Sequence, residues 1–155
     1  MKLFSKALAF TLFAAFMHTA AHAANEHGTA DEAVALVKKA VAYIKANGKE
    51  KAFAEISNPK GAFVDRSLYI FVYDTHGTNL AIGNGNASKM IGKNMMEMRD
   101  ADGRYIIKGL LDASAKGPGW FDYKWPNPVT KSVESKSSYV ERLDDMIVGC
   151  GIYKQ

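Results

Sequence analysis

The apolar residues of this chain change their spacing near residue 60, which leaves few folds open to it. Upstream, Ala33, Val34, Val37, Ala40, Val41 and Ile44 recur every three or four positions while Lys38, Lys39 and Lys45 fall elsewhere. That is the pattern of a helix that buries one stripe. Thr29 with Glu32 three residues on forms a capping box for its start, and Asn47-Gly48 supplies a left-handed stop. A shorter helical piece over 50–56 ends in the turn residues Asn58-Pro59-Lys60-Gly61. Downstream, 68–73 is a nearly unbroken run of β-branched and aromatic residues; Asp74-Thr75-His76-Gly77 and a second run over 79–82 make it a hairpin. Gly83-Asn84-Gly85-Asn86 reads as a loop, since glycine loses the most backbone freedom on ordering. Asp100-Ala101-Asp102-Gly103 offers N-cap acceptors to a helix carrying Ile106, Ile107, Leu110, Leu111 and Ala115, which Gly117-Pro118-Gly119 stops. Strand-like runs over 120–125, 136–143 and 146–153 complete the chain, the last two joined by a tight Asp144-Asp145 turn. This order predicts an α+β fold in which a long N-terminal helix packs on an antiparallel sheet of about five strands.

The first residues set the expected compartment. Lys2 and Lys6, an uncharged apolar run over 7–17 and the small-x-small end Ala21-His22-Ala23 predict a secretory signal peptide cut after Ala23. The apolar run falls short of the roughly 20 residues that a bilayer-spanning helix needs. The expected mature part, 24–155, is one domain located in the periplasm or secreted. Without the leader, 18 basic residues stand against 16 acidic ones, with no basic run and no aromatic-interleaved basic patch. Nucleic acid is therefore excluded as a partner. Cys150 is the single cysteine, so no internal disulfide can form, and its place inside 146–153 predicts a buried small apolar residue.

Catalytic signatures are absent from the expected mature part. It holds two histidines, His27 and His76, and no H-E-x-x-H, C-x-x-C, haem-attachment, G-x-S-x-G or phosphate-cradling motif. An enzyme would have to use His76 or Cys150, and the sequence points to no enzyme and no cofactor. Asp100 and Asp102 followed by Gly103 resemble the start of a calcium loop, but Leu111 stands where the twelfth-position Glu belongs, so no metal is expected. Aromatic residues instead crowd 119–128. Strand alternation puts Phe121, Tyr123 and Trp125 on one face and Trp120, Asp122 and Lys124 on the other. Rings with polar tips suit a pocket that is apolar yet orients its ligand. On the next strand Lys136 shares a face with Ser138 and Val140, opposite Tyr139, and supplies a cation suited to a carboxylate.

These segments together resemble a known family. Tyr69-Ile70-Phe71-Val72-Tyr73-Asp74 with Gly77 and Leu80-Ala81, then Ile91-Gly92-Lys93-Asn94, then Arg99-Asp100-Ala101-Asp102-Gly103 follow the order of the single Cache domain of the second type. Gly119-Trp120 to Tyr123 with Trp125-Pro126-Asn127-Pro128, then Lys136-Ser137-Ser138-Tyr139-Val140, then Val148-Gly149-Cys150-Gly151-Ile152-Tyr153 continue it, so the likeness spans about 30–154. The resemblance implies a PAS-like extracellular sensor fold: the long helix backs the sheet, and the other face, roofed by a loop and a helix, is hollow and holds a small organic acid or similar polar metabolite. It also implies a membrane receptor or histidine kinase as a partner, since such domains usually precede a membrane helix and a chemotaxis or kinase output. Because the chain stops at Gln155, the expectation is a free-standing binding or sensing protein. The residues expected in the site are Trp120, Tyr123, Trp125, Lys136 and Tyr139, with Phe71, Tyr73 and Asn94 as weaker candidates. One departure stands out: family members commonly read Leu-Ala-His-Pro where this chain has Leu80-Ala81-Ile82-Gly83, so any ligand contact of that histidine is lost. The competing expectation is a ligand-free module that docks on a receptor or kinase, with an empty or filled-in pocket and an exposed apolar patch.

Overall fold

Thr29 opens the longest helix as its sequence predicts. In the computed structural model, which describes residues 27–154, the Thr29 hydroxyl accepts from the Glu32 N–H at 3.3 Å and the Glu32 carboxylate accepts from the Thr29 N–H at 2.7 Å. The expected signal peptide lies outside the described residues, as does Gln155. Helix α1 (Ala30–Asn47) buries Ala33, Val37, Ala40 and Ile44, and stops at Gly48, where φ is 80°. Helix α2 (Lys49–Ile56) turns back beside it. The chain then enters β1 (Val64–Asp65), β2 (Leu68–Asp74) and β3 (Asn79–Ile82). Short helix α3 (Ala87–Met90) and helix α4 (Ile106–Ala113) precede β4 (Gly119–Pro126), β5 (Val133–Leu143) and β6 (Met146–Tyr153).

The sheet has six antiparallel strands in the order β1-β2-β6-β5-β4, with β3 also on β2. One strand more than expected is present because β1 is two residues long, too short to carry a period. The same reason hides α3, whose first turn follows the expected 83–86 loop directly. Helix α4 departs from expectation in a different way. Asp100 does not cap it: its Oδ1 accepts from the Asp102 and Arg104 N–H groups at 2.9 and 2.8 Å, and its Oδ2 accepts from the Lys124 N–H at 2.9 Å. The carboxylate thus closes its own loop and ties it to edge strand β4, while α4 starts after Tyr105 with no side-chain cap.

Strand β2 lies between neighbours and is buried on both faces, which is why its sequence reads as continuous rather than alternating. Leu68, Ile70 and Val72 join the α1 stripe in one core; Tyr69, Phe71 and Tyr73 join Ile106, Ile107 and Leu110 of α4 in a second. Each such side chain contributes roughly 1.5–3 kcal/mol by leaving water. Cys150 sits in the α1-side core, and burial pushes its thiol up to about 12, so it is a packed apolar group. At Gly149, on the opposite face of β6, a Cβ would stand 2.4 Å from the Phe71 ring and 2.7 Å from Val140 Cγ1. Gly149→Ala should lower stability by about 1–3 kcal/mol through overpacking. Urea unfolding should show this as a lower midpoint with the slope unchanged.

Candidate functional site

The face of the sheet away from α1 gathers polar side chains that the chain has buried. Register sets them side by side: Tyr123 on β4 pairs with Lys136 on β5, and Lys136 pairs with Tyr153 on β6. Lys136 is 1 % exposed, an unusual state for a lysine. Its side chain crosses β6 at Gly151, where a Cβ would stand 2.2 Å from Lys136 Cε and 2.3 Å from Ser138 Oγ, so a side chain there would block its path. Beyond Gly151 the ammonium donates to the Tyr69 hydroxyl at 2.7 Å and to the Tyr153 hydroxyl at 3.4 Å. It lies 4.0 and 4.8 Å from the centres of the same two rings, within cation–π range. Tyr153 can accept from the lysine because its own proton goes to the Pro126 carbonyl, 2.8 Å away.

What the lysine lacks is an anion. Among the described residues the ion pairs involve other lysines and Arg66, and none reaches Lys136. Burial pulls its ammonium down to about 7, and Cys150 opposes this only in part. Neighbouring hydroxyls stay protonated, since burial raises Tyr69 and Tyr123 well above the usual phenol range and Tyr73 to about 12.

A cavity adjoins this cluster. Tyr69, Phe71 and Tyr73 of β2 form its floor, with Ile82 of β3 beside them and Tyr123 and Trp125 of β4 as one wall. Met98, Ile106, Ile107 and Leu110 form its roof. The expected hollow is nearly closed: about 10 Å³ stays open, room for about one water. The Tyr123 hydroxyl sits 2.9 Å from Ser138 Oγ, and its ring is edge-on to Trp125 at 6.3 Å.

Of the residues expected in a site, Phe71, Tyr73, Tyr123 and Trp125 line this cavity and Lys136 stands against Tyr69 of its floor. Trp120 and Tyr139 are not with them. Their rings meet at 5.4 Å and Tyr139 belongs to the α1-side core, because odd and even positions of β4 and β5 face opposite ways. Asn94 is exposed; its amide donates to the His76 carbonyl at 2.8 Å and accepts from the Met96 N–H at 3.0 Å, a loop-closing arrangement. Ile82 packs on the cavity where family members commonly have histidine. Sequence reasoning missed Tyr69 and Tyr153. Alternation along β2 would have placed Tyr69 with Phe71 and Tyr73, and the tight 144–145 turn fixes the register that puts Tyr153 opposite Lys136.

A buried base whose ammonium is lowered gives stability a defined pH dependence. Between about 7 and the ordinary lysine value near 10.4, the unfolded chain binds the extra proton and the folded one does not, so stability rises with pH across that window. Below about 7 both states are protonated and the folded state carries the full cost of the buried charge. Lys136→Met should therefore stabilise the domain by roughly 1–4 kcal/mol at pH 6. In thermal melts the gain should shrink steadily toward pH 10, and a variant less stable than the parent at pH 6 would contradict the burial cost.

Comparison with known proteins follows the same lines. The family described as single Cache domain 2 matches residues 6–155. The sensor histidine kinase MctS of Rhizobium johnstonii is 36 % identical over 87 residues, 55 % of this chain and 18 % of that protein. The methyl-accepting chemotaxis protein CtpM of Pseudomonas aeruginosa is 31 % identical over 109 residues, 68 % of this chain and again 18 % of the relative. The chain thus spans under a fifth of the length of either. Among solved structures, a methyl-accepting chemotaxis protein from Vibrio parahaemolyticus superposes with a TM-score of 0.69 at 28 % identity, covering 79 % of this chain and 86 % of that one. A Cache chemosensory domain whose structure describes carboxylic acid recognition gives 0.65 at 22 % identity, over 81 % and 92 %, a likeness of fold alone.

Proposed function

Since this chain belongs to the single Cache domain 2 family, we propose that it is a sensor domain whose inner cavity takes a small carboxylate next to Tyr69 and Lys136. As a Cache domain it is a sensory module rather than an enzyme, with the PAS-like α+β fold of its structural neighbours. The observation that carries the ligand assignment is the buried ammonium without a carboxylate. An unpaired buried charge is costly, and a bound anion offsets that cost in a way no neutral ligand can. Tyr69 of the floor and Tyr123 of the wall supply hydroxyls, Phe71, Tyr73 and Trp125 supply apolar surface, and Trp120, Tyr139 and Asn94 have no part in it. Binding requires the roof to lift, since the open space holds about one water. Met98 suits that, being unbranched and easily re-posed. The recognition of carboxylic acids by a neighbour of the same fold supports this ligand class.

The reading extends to location and partners. We assign 24–155 to one exported domain, freed from its leader near Ala23 and working in the periplasm or outside the cell. Among the described residues no helix is long and apolar enough to cross a membrane. The matched relatives, a kinase and a chemotaxis receptor, support a receptor or histidine kinase as the partner class. The nearly filled cavity favours a second reading, a ligand-free docking module, for which exposed Trp120 and Val133 would serve as contacts.

A thermal-shift series with acetate, propionate, lactate and pyruvate separates the two. An acid at about 100 times its dissociation constant adds roughly 2.7 kcal/mol. Lys136→Met should abolish the shift, and affinity should fall about tenfold per pH unit above about 7, because binding must then take up a proton. Unshifted melting with every acid leaves the docking module standing.

A further inference from the structure

The inner cavity has a neighbour of a different character. Two adjoining clefts of about 160 and 170 Å³ share Asn84, Pro128 and Lys131, and both are far roomier than the space inside. Two side chains belong to both an outer cleft and the inner cavity: Trp125 lines the first cleft, Tyr69 the second. These rings are the partition between solvent-facing space and the Lys136 cluster.

The two halves of the partition are held differently. Tyr69 is 2 % exposed, sits in a central strand and accepts a hydrogen bond from Lys136 at 2.7 Å. Trp125 is half-buried on an edge strand and precedes Pro126 and Pro128. Its indole packs against the aromatic-side core and meets Tyr123 edge-on at 6.3 Å, but among the described residues it makes no hydrogen bond. Moving Tyr69 costs a charge-assisted hydrogen bond, whereas moving Trp125 costs apolar packing and no hydrogen bond.

We propose that Trp125 is the door of this domain: small anions reach the inner cavity from the Asn84–Pro128–Lys131 cleft when its indole swings outward. This rests on the reading that the inner cavity takes the ligand, but it concerns the passage, and the passage can be followed without any ligand. Trp125 is the one described residue that lines both the inner space and the first cleft.

The test is the accessibility of a cysteine placed in the roof. Ile107, 1 % exposed and lining the cavity, is replaced by Cys, and its labelling by the anionic reagent 2-sulfonatoethyl methanethiosulfonate is timed by intact mass. Native Cys150, buried in the other core, is the internal reference: unfolding exposes both thiols, an open door only the first. Adding Trp125→Ala should speed labelling at position 107 about tenfold, as expected when reaction tracks the population of an open form. Trp125→Phe should give an intermediate rate, Cys150 remaining unlabelled in both. Equal rates at 107 with and without Trp125, in the Phe variant as well as the Ala one, would overturn the proposal. So would acceleration that Cys150 shares. Neither result bears on whether carboxylates bind, which the thermal-shift series decides separately.

Discussion

One ammonium placed where water cannot reach it organises the polar half of this domain. Lys136 is surrounded by two phenol rings and their hydroxyls, and among the described residues no carboxylate offsets its charge. Hydroxyl dipoles and ring faces soften the cost of burying it, but only in part, and the depressed titration of the amine is the residue of that cost. A fold that tolerates such a group has exchanged stability for a preformed place of positive potential, a common trade at binding sites.

The surrounding geometry follows from keeping that group in place. Gly151 leaves room on β6 for the lysine stem, and the neighbouring Gly149 leaves room for Phe71. The sheet keeps its two faces chemically distinct: α1 covers one with small and branched apolar residues, while α4 and Met98 cover the aromatic one. Asp100, with the Arg104–Asp122 carbonyl hydrogen bond and the Lys124–Asp102 ion pair, joins the loop before α4 to edge strand β4, which bears Tyr123 and Trp125.

Much of this was legible in the residues. The capping box at Thr29, the α1 stripe, the β2–β3 hairpin and the tight turn at Asp144, where φ is 52°, were read from local chemistry alone and stand as read. β1 and α3, of two and four residues, carry no period, and unlike four-residue β3 neither is joined to a long strand by a glycine-containing turn that would mark it. Asp100 was misplaced because a capping signal and a loop-closing carboxylate look alike in sequence; only the position of Lys124 across the loop separates them. Of the eight site candidates, the five that gather at the cavity are those whose strand parity matches Lys136 or Tyr123 across the sheet; Trp120 and Tyr139 share a strand with them but not a face. Whether the cavity is open depends on how tightly side chains close over it, and no spacing rule reports that.

The central claim, a buried cation that waits for an anion, is tested most directly by NMR titration of the Lys136 side-chain carbons in the free domain and in saturating propionate. The account requires this one lysine to titrate near 7 when free, and to move up toward the ordinary lysine range when the acid is bound. A Lys136 that titrates with the surface lysines in the free domain, or whose titration propionate leaves unmoved, would contradict it.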